Sequence, residues 1–230
     1  MPTRTLMAWP LALLAGLLPL LGTLIAYPLS VHLGLLEACN PFIDGCTSIS
    51  RAARHGLPNH IFRALLLPAA ALQALLWLLC SAWLGGDAAP ALRPARSLRL
   101  LPWIGVMAAC FLVLYGSFLG TEGDAYRWLR RYGIVGYFGG TCLAMLLATR
   151  ALLRSRWRSH AEVRVLLALC VALPLLGLVN SLVPLLLGAA ALRDPVQNAV
   201  EWWAGLAFTL FFFVLARLWH ATDFGLSVAR

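Results

Sequence analysis

Apolar runs long enough to cross a bilayer alternate with short polar connections along this chain. A spanning helix needs about 20 apolar residues for roughly 30 Å of hydrocarbon. By that measure six spans fall at about 7–26, 61–84, 100–119, 132–153, 165–187 and 200–219. The pattern predicts an all-α fold: one polytopic transmembrane domain over residues 1–230, six helices with an ordered extracytoplasmic first loop. The run from Met7 exceeds a signal-peptide core and has no small-x-small cleavage site after it, so it reads as a retained first span. Prolines punctuate the spans at Pro10, Pro19, Pro68, Pro102, Pro174 and Pro184, and each removes a backbone donor. The fifth span, which also carries Asn180 and Ser181, is the one expected to bend.

The longest polar interruption runs from Glu37 to Arg63. Within it, Thr47 or Ser48 is suited to cap a short helix from about Ile49 to His55, with Gly56 as a left-handed terminator. On that helix Arg51 and Arg54 share one face, with His55 nearby. Asn59 is expected to cap the second span. Arg63, one turn further, either snorkels to the interface or pairs with an acid inside the bundle.

Composition agrees with the hydropathy. The 230 residues are 61% hydrophobic and 12% charged, about half the charged fraction of a soluble domain. The net charge of +9 is carried by eighteen basic residues, all of them arginine. They cluster in short connections beside the spans, as orientation requires, and form no soluble basic platform, so no nucleic-acid partner is expected. With the N-terminus inside, eleven arginines are cytoplasmic: Arg4, Arg93, Arg96, Arg99, Arg150, Arg154, Arg156, Arg158, Arg164, Arg217 and Arg230. The other seven lie outside. This bias predicts cytoplasmic termini and places the Glu37–Arg63 stretch on the extracytoplasmic face. The absence of lysine excludes a retinal Schiff base, and with abundant Ala, Leu, Arg and Gly it points to a GC-rich bacterial source and so to the inner membrane.

The candidate chemistry gathers on that outer face. Six of nine acids lie there: Glu37, Asp44, Glu122, Asp124, Asp194 and Glu201. Cys39 and Cys46 are seven apart in a compartment where disulfides persist. A bridge is one reading, and a metal site with His32, His55 or His60 is another, although the spacing fits no standard zinc pattern. The second outer connection brings Arg127, Arg130 and Arg131 to one side of a helix start, with Asp124 a turn earlier. A solvated, Tyr126- and Trp128-anchored helix start explains this, as does a clamp for a phosphate or carboxylate. Glu201 opens the last span, where the macrodipole favours an acid and where it could pair with Arg63 or an arginine of the second loop. His55 and His60 are candidate general bases. Asp44, Asp124 or Glu201 would orient them, and Arg51, Arg54, Arg63, Arg127, Arg130 and Arg131 would hold an anionic head group. No nucleophile-elbow, zincin or phosphate-loop motif is present; no cofactor and no metal is expected.

Pro41-Phe42-Ile43-Asp44, Ser48-Ile49-Ser50, Pro58, Phe62-Arg63 and the Glu201-Trp202 opening of the last span resemble the FRAG/DRAM/Sfk superfamily. The six-span layout with a long first outer loop is similar to that group. The resemblance implies lipid-directed work: remodelling of GPI lipids, phospholipid distribution, or regulatory scaffolding. A bacterial chain would act on a lipid other than a GPI anchor. The expectation is therefore a membrane-embedded protein that binds, and remodels by acyl transfer or hydrolysis, a lipid or lipid-anchored glycan at the extracytoplasmic face. Its partners would be anionic or phosphate-bearing membrane lipids. The alternative is a non-catalytic scaffold or regulator of lipid distribution.

Overall fold

Each apolar run is a helix, and most of these helices continue into the polar sequence beside them. The computed structural model describes residues 4–86, 96–187 and 190–228. Its helices are α1 (Trp9–His32), a short α2 (Ile49–Ala52), α3 (Gly56–Gly86), α4 (Arg96–Phe118), α5 (Asp124–Leu152), α6 (Ala161–Leu187) and α7 (Ala190–Ala221). Among the described residues six helices are long and apolar enough to cross a membrane; the chain is an all-α, multi-pass membrane protein. The Gly85–Ser97 linker, with Asp87 and Arg93, falls largely outside the described residues, as does Arg230.

Hydropathy finds the apolar centre of a helix but not its ends, because a helix continues wherever backbone bonds are satisfied. So α3 begins at Gly56 and not at Ile61, and α5 begins at Asp124, which makes Arg127, Arg130 and Arg131 part of its first two turns. Asn59 accordingly lies inside α3 and does not cap it. The short helix α2 ends at Ala52, earlier than His55, with Ser48 as its cap, accepting the Arg51 N–H at 3.1 Å. Gly56 does adopt a left-handed conformation, φ +59°, but as the joint between α2 and α3. Helix α6 passes through Pro174 as one continuous helix, so the fifth span is not broken there.

The helices pack as a ring in which α1 lies against α3 and α7, α4 against α3 and α5, and α6 against α7. Lipid tails are as apolar as leucine, so helices in a bilayer associate through close fit and not through hydrophobic exclusion. Helix α1 meets this with a buried stripe of small residues, Ala12, Ala15, Gly16, Gly22 and Ala26. On α5, Gly133, Gly136 and Gly140 let its backbone approach Tyr115, Phe111 and Ala108 of α4 too closely for any side chain.

At one end of the bundle the chain termini pair. Strand β1 (Arg4–Met7) runs antiparallel to β2 (Gly225–Val228), with Arg4 opposite Val228. This sheet was not legible in the sequence, but it sets both chain ends on the same side, as an even number of spans requires. An aromatic cluster lies under it: Trp83 stacks on Trp157 at 4.2 Å, and Trp219 and Phe224 close around them. The opposite end carries the long connection 33–55 and the short one 119–123, and it is there that the polar residues meet.

Candidate functional site

The first connection is tied down residue by residue. Asn40 and Asp44 build a turn: the Asn40 N–H donates to Asp44 Oδ2 (2.8 Å), and the Asp44 N–H donates back to the Asn40 carbonyl (2.7 Å). Cys39 and Cys46 are joined as a disulfide around it, which spends both thiols and removes the metal alternative that needed them. The Tyr27 hydroxyl donates to the Cys39 carbonyl at 2.6 Å. Three side chains of α7 then hold the loop by its carbonyls. Asn198 Nδ2 donates to Gly45 (2.8 Å), Trp202 Nε1 to Thr47 (2.8 Å) and Trp203 Nε1 to Phe42 (3.1 Å). Gly45 sits at φ +58° with Pro195 packed against its α-carbon, so no side chain fits there.

Asn59 locks the two connections together. Its amide is buried and donates to the Ala53 carbonyl (2.9 Å) and the Leu119 carbonyl (3.1 Å). This fixes α2 and the end of α4 on either side of α3, and it aims Arg54 toward the first turns of α5.

The result is a basin. Ser50 and Arg54 from the α2 region, Tyr115 and Leu119 from α4, Arg127, Arg130, Arg131 and Ile134 from α5, and Glu201 from α7 line about 320 Å³. An outer chamber of about 390 Å³ shares Arg54, Arg127 and Arg130 and adds His55 and Glu122. Tyr115, Ile134 and Glu201 also line a third space, an apolar cleft of about 110 Å³ between α1, α3, α4, α5 and α7. Along α7 the cleft runs from Glu201 to Phe212, about 16 Å at 1.5 Å per residue. Helices α5 and α7 meet at Phe138 and Phe208, ring centroids 5.1 Å apart. The buried residues of α6 are Val163, Leu166, Cys170 and Leu173, and no described side chain beyond Leu173 is buried.

The polar groups in the basin are partly committed and partly free. Arg130 donates to the Phe118 carbonyl (3.2 Å) and to the Thr121 carbonyl, stitching the end of α4 to α5. Arg54 Nε is buried without a hydrogen-bond partner. Glu201 Oε1 accepts the Ser50 N–H at 3.2 Å, and its carboxylate faces the first turn of α2. Among the described residues no arginine lies within ion-pairing distance of Glu201.

Of the residues expected to form a site, the structure brings together Arg54, Arg127, Arg130, Arg131 and Glu201, with His55 in the adjoining chamber. It leaves the others elsewhere. Asp44 is occupied within its own turn and lines none of these spaces. Asp124 pairs with Arg127 at 3.2 Å on the surface, the two side chains 84% and 75% exposed. His60 is exposed at the start of α3, Arg51 is exposed on α2, and His32 is exposed at the end of α1; none lines the basin or the cleft. Arg63 does not pair with Glu201; its Nε is buried without a partner. Tyr115, Ser50 and Ile134 were not recognisable beforehand as basin residues. Tyr115 and Ile134 sit in apolar runs with no local signal of a site, and Ser50 could be read only as part of a short helix.

The chain matches no protein-family model, no curated protein and no solved structure.

Proposed function

We propose that this protein binds a phosphate-bearing membrane lipid, head group in the arginine basin and one hydrocarbon chain in the cleft. A single observation carries the reading: Tyr115, Ile134 and Glu201 line both the polar basin and the apolar cleft, so a polar and an apolar space lie side by side as the two parts of a lipid do. Arginine's planar, multi-donor head suits phosphate oxygens, and a cleft about 16 Å deep reaches roughly half-way through the hydrocarbon. A soluble anion would need no such cleft. The short motifs shared with the FRAG/DRAM/Sfk superfamily favour the same lipid-directed role. The arginine bias and the disulfide-closed loop favour a bacterial inner-membrane setting with the basin on the extracytoplasmic face.

The test is binding by the purified full chain, read by native mass spectrometry of lipid adducts. Arg127→Ala and Arg131→Ala should each weaken an added anionic phospholipid about tenfold, since each removes charge-assisted hydrogen bonds. Gly205→Leu should lower occupancy by filling the cleft mouth, where even a methyl would come 3.1 Å from Ile49 Cδ1. Unchanged binding in all three would sink the proposal.

Remodelling of the bound lipid is favoured by one further feature. His55 is the one candidate base that lines a chamber shared with the arginines. In that version His55→Ala abolishes lipid turnover while binding persists, and Asp44→Ala leaves turnover intact. Turnover that survives His55→Ala leaves the non-catalytic alternative, a regulator of lipid distribution.

A further inference from the structure

The basin contains more than anion-binding groups. Four arginines, Arg54, Arg127, Arg130 and Arg131, share it with the Glu201 carboxylate, yet among the described residues none of them pairs with that carboxylate. The Glu201 carboxylate takes its hydrogen bonds from the α2 backbone, the Ser50 N–H at 3.2 Å and the Ile49 N–H, and an ionised carboxylate has about four acceptor sites. A half-buried acid at this depth is costly unless its remaining acceptors find donors. If the occupant were anionic only, the carboxylate would repel it. An occupant with positive charge close to its phosphate removes both difficulties.

Resting on the lipid-binding reading above, we propose that the site selects a zwitterionic head group, a phosphate joined by a short linker to a primary ammonium. Arg54, with its buried and unpartnered Nε, and the exposed arginines of α5 take the phosphate. Glu201, beside Ser50 in the same basin, takes the ammonium through N–H donors. A primary ammonium has three such donors, and a quaternary one has none. The chemistry therefore ranks ethanolamine-type head groups above choline-type, and both above glycerol-type, which carries no positive charge. The arginines alone would give the reverse order, with the anionic glycerol type first.

The experiment measures adducts of the full-length protein with phosphatidylethanolamine, phosphatidylcholine and phosphatidylglycerol of matched chains. Soluble phosphoethanolamine and inorganic phosphate are run alongside. Wild type should favour ethanolamine over glycerol by about tenfold, the worth of one charge-assisted contact. Glu201→Gln keeps an oxygen for the Ser50 N–H and should reduce that preference to less than about threefold. Ethanolamine bound no more tightly than glycerol by wild type, or an unaltered preference in Glu201→Gln, overturns the proposal while leaving lipid binding intact. Should Glu201→Gln fail to fold, the wild-type order decides alone. Soluble phosphate species binding as tightly as the lipids, or no lipid binding at all, overturns the lipid reading itself and this proposal with it.

Discussion

Asn59 shows how one side chain can carry more structure than its position suggests. By sequence it is a plausible helix cap; in the fold it is a buried bracket between two loop carbonyls. Asn59→Ala leaves both acceptors buried and unpaired, and should cost about 2–4 kcal/mol. A thermal melt of the purified protein checks this, and an unchanged midpoint would mean that the bracket is dispensable. The arginines divide on the same logic. Arg130 bonds two carbonyls, so Arg130→Ala should lower both stability and lipid binding. Among the described residues Arg127 is held by a surface pair with Asp124, a type of contact worth about 0.2–1 kcal/mol, and Arg127→Ala should lower binding with little change in the melt. The residue types needed for a site were visible along the chain, but their commitments were not. Asp44 and His60 have suitable chemistry, yet a local turn occupies one and the other is exposed outside the basin. Side-chain partners across 150 residues of sequence, such as Asn198 with Gly45, leave no local pattern to read.

At the scale of elements, the first connection behaves as a strap. The Cys39–Cys46 bridge closes it, and α7 grips it through Asn198, Trp202 and Trp203. Phe42 packs its ring between the two tryptophans, 5.3 and 5.2 Å from their centroids. Closing a loop this short is worth about 2–3 kcal/mol in the chain-entropy account. The double variant Cys39→Ala/Cys46→Ala should therefore melt about 5–10 °C lower. A reductant should shift the wild-type melt toward the variant and leave the variant unmoved. A reductant-insensitive wild type would mean that the noncovalent grip of α7 suffices. Helix α6 is the contrasting element: Val163, Leu166, Cys170 and Leu173 anchor it, and no described side chain beyond Leu173 is buried.

For the whole molecule, the pairing of β1 with β2 puts both terminal strands on one face, and the orientation proposed above makes that face cytoplasmic. Reporter fusions at the two ends should both read cytoplasmic; opposite readings would contradict the sheet. The exposed arginines make a second, global expectation. Raising salt from about 0.05 to about 0.5 M shortens the screening length from over 10 Å to under 5 Å. Phospholipid binding should then fall several-fold in wild type and less in Arg127→Ala/Arg131→Ala.

Local sequence determined the class of this protein and placed its spans, and it singled out Cys39 and Cys46 as candidates for a bridge and Gly56 as a left-handed position. Each of these follows from apolar length, from cysteine spacing or from backbone freedom at one residue, all of which are properties of short stretches. The structure decided that the two cysteines are joined and that Gly56 links α2 to α3. Only tertiary structure decided which arginines share a basin with Glu201, that Tyr115 and Ile134 belong with them, and that an apolar cleft adjoins it. Those facts depend on how six helices cross. Such crossings come from close backbone approaches, as of Gly133, Gly136 and Gly140 to α4, and no single helix encodes its distance from the next.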